Sequence, residues 1–191
     1  VFGLTPSEGS LVNWVNEAKK NARPVIDKIK EYIMSSSVVG FDESGLYCNK
    51  KLDWAWIAQT VYYTLLFRAE GRGSKVLTDK FGDALERMTA VTDRHSAYFV
   101  IHFLNHQVCL AHLLRELQYL SDLNAGQDWS EKVAGLFREA IHKRNSRPEA
   151  VIDKVPWTER LDRLLKQSVE NLGKKFAALK KGLIKCRDYI F

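Results

Sequence analysis

The chain opens on a helical pattern. Leu11, Trp14, Val15 and Ala18 recur in steps of three and four behind Thr5-Pro6-Ser7-Glu8, which reads as a capping box with Pro at the first helical position. Asn21 is placed to cap a second helix, with Pro24 in its first turn and Val25, Ile29, Tyr32 and Ile33 at helical spacing. From Ser37 the pattern changes to period two or to unbroken β-rich runs. It predicts strands over residues 37–42, 46–49, 54–63 and 64–69, with a turn at Ser44-Gly45 and a close at Gly71-Arg72-Gly73. Val76, Leu77, Phe81 and Leu85 then mark a short helix over 74–85. A strand over 88–92 ends at Asp93, and a helix over 96–104, a strand over 107–110 and a helix over 111–120 follow.

An antiparallel three-strand meander followed by two right-handed crossovers has few solutions, and it gives a mixed sheet flanked by helices. The expected fold is therefore α/β and ribonuclease H-like. Residues 1–34 form an N-terminal helical segment in this reading, and residues 35–126 form a partial ribonuclease H-like core. Residues 127–191 read as an all-helical insertion. In that insertion Trp129, Val133, Leu136, Phe137, Ala140 and Ile141 mark one helix, broken at Ser146-Arg147-Pro148. Leu161, Leu165, Val169, Leu172, Phe176, Leu179, Leu183, Cys186 and Ile190 then continue in steps of three and four as one long, basic helix. Packing of that seam on the protein's own helices is the first expectation, and a dimerising coiled coil the second.

Composition narrows the class. With 191 residues, 46% of them hydrophobic and 27% charged, the chain is suited to a folded domain rather than to disorder. No run approaches the roughly 20 apolar residues that span a bilayer, and residues 1–10 lack the order of a secretory signal. Three well-separated cysteines, Cys48, Cys109 and Cys186, suit a reducing compartment. The expectation is a soluble, intracellular protein. Val1 in place of an initiator Met reads as a cut within a longer product. Up to Gly126 the chain has 14 Lys+Arg against 14 Asp+Glu, and beyond it 15 against 9, so the net charge of +6 lies in the last third. A polyanionic partner or a merely solvated basic surface accounts for that asymmetry equally well.

Asp42 and Asp93 each end an apolar β-run, Val38-Val39-Gly40-Phe41 and Met88-Thr89-Ala90-Val91-Thr92. On adjacent parallel strands the two carboxylates would emerge at one end of the sheet, where a hard cation such as Mg²⁺ (or Mn²⁺) relieves their repulsion. Lys174, Lys175, Lys180, Lys181, Lys185 and Arg187 fall off the apolar seam on a surface suited to a phosphate backbone, and Arg138, Lys143, Arg144 and Arg147 form a second basic group. His106-x2-Cys109-x2-His112 has soft-metal ligand types but no second pair, so a structural or substrate-ordering role fits it better than zinc, with Cys109 in a buried strand. Trp54 and Trp56 share one strand face and read as core rather than as base-stacking platforms.

Four segments together carry a family resemblance: Val38-Val39-Gly40-Phe41-Asp42-Glu43-Ser44-Gly45, Trp54-Ala55-Trp56, Thr92-Asp93 with Ser96-Ala97-Tyr98, and the run from His106 to Leu117. In this order they resemble bacterial insertion-sequence transposases of the DDE type, whose first acid lies in an Asp-Glu-Thr-like motif. The resemblance implies a ribonuclease H-like domain with a helical insertion, in which Asp42 is the first metal-binding acid and Asp93 the second, while Glu43 is not catalytic. It also implies DNA partners (transposon ends and target), metal-dependent cleavage and strand transfer, and homo-oligomers of the full-length protein. The family's third acid, a Glu in an Asn-rich stretch, has no match here and is expected beyond residue 191, which leaves the chain inactive alone. Glu116 is a weaker internal candidate, and His112 and Arg115 are candidates for places beside the site. Rival readings are a nuclease of the same fold without strand transfer and a non-catalytic helical DNA-binding or dimerisation protein.

Overall fold

The computed structural model describes residues 3 and 5–191. Its strands form a five-stranded mixed sheet in the order β3-β2-β1-β4-β5, flanked by helices, where β1 is Val38–Cys48, β2 Lys51–Gln59, β3 Thr64–Ala69, β4 Thr89–Thr92 and β5 Asn105–Val108. The α/β, ribonuclease H-like expectation stands. The chain divides into two compact units.

The first unit extends to Met88 and takes in Ile101–Leu104. Helix α1, Glu8–Met34, is one continuous helix where the sequence pattern suggested two. Its N-cap is Ser7, whose hydroxyl accepts the Ser10 N–H at 3.2 Å, so Pro6 stands before the helix rather than at its first position. Pro24 lies inside α1. Losing one intrahelical bond there costs less than nucleating a new helix. Strand β1 runs straight through Ser44-Gly45, because both residues pair across the sheet, Ser44 with Ala55 and Gly45 with Trp54. The reversal falls instead at Asn49-Lys50, both with positive φ (49° and 63°), the two-residue hairpin loop whose twist matches its strands. Strands β1, β2 and β3 are antiparallel. Their inner face packs Val39, Phe41, Trp56, Ala58 and Leu65 against Leu77 and Phe81 of helix α2, Lys75–Phe81. The expected helix over 74–85 shortens to α2 followed by a 3₁₀ segment, Gly82–Arg87.

The second unit holds Thr89–Val100 and the chain from Asn105 on. Strands β4 and β5 pair in parallel. The helix expected over 96–104 reduces to a 3₁₀ turn, Tyr98–Val100, and β5 begins earlier than the pattern suggested. Helices α3 (Leu110–Leu123), α4 (Trp129–Ser146), α5 (Val155–Leu165) and α6 (Lys174–Lys185) complete the unit. The predicted long helix is thus two, separated by a 3₁₀ turn at Glu170–Leu172 and by Gly173 at φ 119°, a conformation that side-chain-bearing residues rarely adopt. Its apolar seam is nonetheless buried: Leu161, Leu165, Val169, Phe176, Leu179, Leu183, Cys186 and Ile190 join Leu113, Leu117, Trp129 and Phe137 in one core. The seam therefore serves its own unit, as the first expectation had it. Trp129 ties α4 to α5 by donating Nε1–H to the Leu164 carbonyl at 3.0 Å.

Candidate functional site

In the first unit, β1 delivers Asp42 directly after the buried Phe41. The Asp42 side chain is half-buried, and its Oδ1 accepts the Glu43 N–H at 3.0 Å. Alternation sends Glu43 to the other face, where its carboxylate is fully buried against Arg72, with Nε to Oε1 at 2.5 Å. Arg72 also lies 5.0 Å above the Trp54 ring, while Trp56, on the same strand face, is completely buried and donates Nε1–H to the Gly71 carbonyl at 3.1 Å. Burying a carboxylate is costly unless a partner takes the place of water. Glu43 therefore anchors the Gly71-Arg72 turn to β1, a link that sequence spacing gave no means of seeing.

In the second unit, Asp93 follows the end of β4. Its Oδ1 accepts the His95 N–H at 2.8 Å, closing a tight Asx turn. The Thr92 hydroxyl donates to the Asp93 carbonyl at 2.7 Å, so it must accept the proton of His106 Nε2 at 2.8 Å. The Cys109 N–H donates to the Thr92 carbonyl at 2.6 Å, which brings the start of α3, with the half-buried His112 on its first turn, to the Asp93 end of β4 and β5. Cys109 is the N-cap residue of α3 and half-buried, not a buried strand residue as expected. Among the described residues no three or more His, Cys, Asp or Glu side chains are grouped to hold a metal ion, so His106, Cys109 and His112 do not make a zinc centre.

His106 lies between the rings of Phe99 and Tyr189, at 4.9 and 5.2 Å, and this burial pushes its pKa below the usual value of 6.5. The folded protein keeps the imidazole neutral where the unfolded chain would take up a proton. Its contribution to stability is therefore complete above pH 6.5 and is lost as the pH falls from there toward the folded-state pKa. Thermal melts between about pH 7.5 and 5 should show this decline, and His106→Asn should flatten it. An identical decline in the variant would place the titration elsewhere.

Arg94, next to Asp93, was not singled out by sequence reasoning. Its guanidinium pairs with Glu116 of α3 and lies across α6 at Gly182, where a Cβ would collide with Nη1 and come within 3.2 Å of Cζ. Glu116 is exposed on the helix surface and held by that arginine, with Arg115 exposed beside it. On and after α6, the six basic candidates separate. Lys174, Lys181 and Lys185 are exposed. Lys175 bonds the Tyr119 hydroxyl and lies 4.6 Å over its ring. Lys180 donates to the Gln167 carbonyl at 2.7 Å. Arg187 follows α6 and grips Asp162 with two bonds of 2.5 and 2.6 Å, which lowers the Asp162 pKa and raises its own.

An antiparallel meander continued by parallel strands gives a ribonuclease H-like α/β sheet, in which Asp93 directly follows β4 while Asp42, expected to end its strand, lies inside β1 because the strand stays paired as far as Cys48. The family model described as "Transposase IS66 family" matches residues 1–183. The chain belongs to the IS66 family of transposases. No curated protein matches it. No helix among the described residues is long and apolar enough to cross a membrane.

Proposed function

We propose that this chain contributes the first two acids, Asp42 and Asp93, of a DDE-type active site that cuts DNA at the ends of an insertion sequence and joins those ends to target DNA. The observation that carries the reading is the family match over residues 1–183 of a chain in which Asp42 lies on β1 after the buried Phe41 and Asp93 directly follows β4. Carboxylate oxygens suit a hard divalent cation, and Asp42 and Asp93 are the residues that would hold Mg²⁺ or Mn²⁺. When bound, such an ion stabilises the negative charge that develops on the reacting phosphate.

In the first step the oxygen of water bonds to phosphorus and the bond to the 3′ oxygen breaks, leaving a 3′-hydroxyl and a 5′-phosphate. In the second step that hydroxyl attacks a phosphodiester of the target, displaces its 3′ oxygen and forms the new strand. The Glu43 N–H holds the Asp42 carboxylate and the His95 N–H that of Asp93, while the His106–Thr92 pair holds the Asp93 backbone carbonyl. Labelled transposon ends incubated with the full-length transposase, which carries the third acid in this reading, and with Mg²⁺ should yield joined products. Cleavage without joining would point to a nuclease of the same fold.

DNA contact by α6 falls to the exposed Lys174, Lys181 and Lys185, since Lys180 and Arg187 are engaged within the chain. Changing the three exposed lysines to Gln keeps helix propensity and leaves Phe176, Leu179 and Leu183 in the core. The log–log salt slope of DNA binding should then fall by about 2 to 3 units, roughly 0.9 for each phosphate that is no longer neutralised. An unchanged slope would make the stripe a solvated face. Assembly of more than one copy on the DNA also belongs to this reading.

A further inference from the structure

Helix α1 is 27 residues long, yet Ile33 is its only buried residue. Every residue from Leu11 to Lys28 is exposed, and the large apolar ones, Leu11, Val12, Trp14, Val15, Val25 and Ile26, are between 41% and 67% exposed. They are not scattered. Leu11, Val15, Ala18, Ala22, Val25 and Ile29 follow the alternating steps of four and three that make a coiled-coil seam. An apolar stripe of this length is uncommon on a monomer's surface.

We infer that α1 pairs antiparallel with α1 of a second copy of this chain, about a two-fold axis level with Lys20. The seam positions are symmetric about that residue. An antiparallel pair therefore sets Leu11 against Ile29 of the second copy, Val15 against Val25 and Ala18 against Ala22, and the axis repeats each contact. The alanines fall in the middle, where they let the backbones approach closely, and the bulkier residues fall outside them. On one flank Val12 meets Ile26 of the second copy. On the other the Trp14 indole meets the Lys28 ammonium, a cation–π arrangement. A parallel pair would instead set Ile26 beside Asn21 and leave Val12 without an apolar neighbour.

Covering the six exposed apolar side chains removes roughly 600 Å² per copy, or about 1,200 Å² for the pair, the lower edge of specific interfaces. Lys20 lies opposite the seam, while the same register sets Lys19 of the two copies side by side on the Val12–Ile26 flank, a like-charge contact at the exposed rim that salt screens. This pairing deepens the reading of an assembled transposase, but it rests on α1 alone and is tested without DNA.

Sedimentation of the chain should give about twice the 21.9 kDa monomer mass, and Val15→Glu or Val25→Glu should return it to 21.9 kDa with an unchanged thermal unfolding midpoint of the sheet-bearing fold. Both valines are more than 60% exposed, so the fold does not depend on them. In a Cys48→Ser background, mixing Ala18→Cys with Ala22→Cys protein under mild oxidation should give a disulfide-linked dimer that neither gives alone. A monomeric unmodified chain, undiminished dimer in the Glu variants, or cross-linking of Ala18→Cys by itself would overturn the proposal. A dimer that forms as expected while DNA joining fails would count against the transposase chemistry and leave the pairing intact.

Discussion

Asn in place of Asp42 or Asp93 is expected to lower DNA cleavage and joining by the full-length transposase by a factor on the order of 10²–10³ or more, while DNA binding changes little. The size follows from what the charge does. Loss of one well-placed electrostatic partner of a developing phosphate charge costs about 3–4 kcal/mol of barrier, and each 1.4 kcal/mol is about tenfold in rate. The fold should tolerate both changes, because each Asp Oδ1 accepts one backbone N–H, from Glu43 and from His95, and the amide oxygen of Asn accepts the same bond. DNA binding is the control, since the proposal assigns it to the exposed lysines of α6 and not to the two acids. Full activity in the Asp42→Asn/Asp93→Asn double variant would remove both residues from the chemistry and favour a DNA-binding protein without catalysis.

The largest stability loss is expected at Trp56. Its side chain is fully buried in the first unit, stacks on Phe67 at 6.4 Å and donates Nε1–H to the Gly71 carbonyl. Trp56→Ala should cost about 3–5 kcal/mol, a large share of the 5–15 kcal/mol typical of a domain. Denaturant unfolding, followed by circular dichroism, measures it. Trp56→Phe should recover most of the loss, because it keeps the ring stack and gives up only one hydrogen bond and part of the volume. A loss below about 1 kcal/mol for Trp56→Ala would show that the three-strand meander does not depend on this side chain.

Local pattern carried the sheet, because strands need apolar runs, but it misplaced Asp42: the residue reads as a strand terminus and lies inside β1, paired with Ile57. It failed where a competing interaction was distant in sequence. Ser44-Gly45 has turn composition, but pairing with Ala55 and Trp54 draws it into β1, and the reversal moves to Asn49-Lys50. The seam from Leu161 to Ile190 was legible as buried, whereas its break was not, since Gly173 preserves the apolar phase on either side of the turn. Glu43 with Arg72 and Arg94 with Glu116 are separated by 29 and 22 residues, and no periodicity connects such pairs. The basic residues read as one stripe because spacing reports direction from the helix axis and says nothing of partners. The grip of Arg187 on Asp162 came from packing α6 against α5.

Gly182 restricts how this protein could be made more heat-resistant. A glycine in mid-helix is an ordinary target for strengthening, since alanine there usually gains about 0.5–1 kcal/mol. At this position the added methyl would occupy the place of the Arg94 guanidinium and push it off Glu116. The residue dislodged is the neighbour of Asp93, so a routine helix-stabilising change would act on the loop that carries this proposed acid. Thermal hardening of α6 is better sought at an exposed position with no assigned role, such as Ile184.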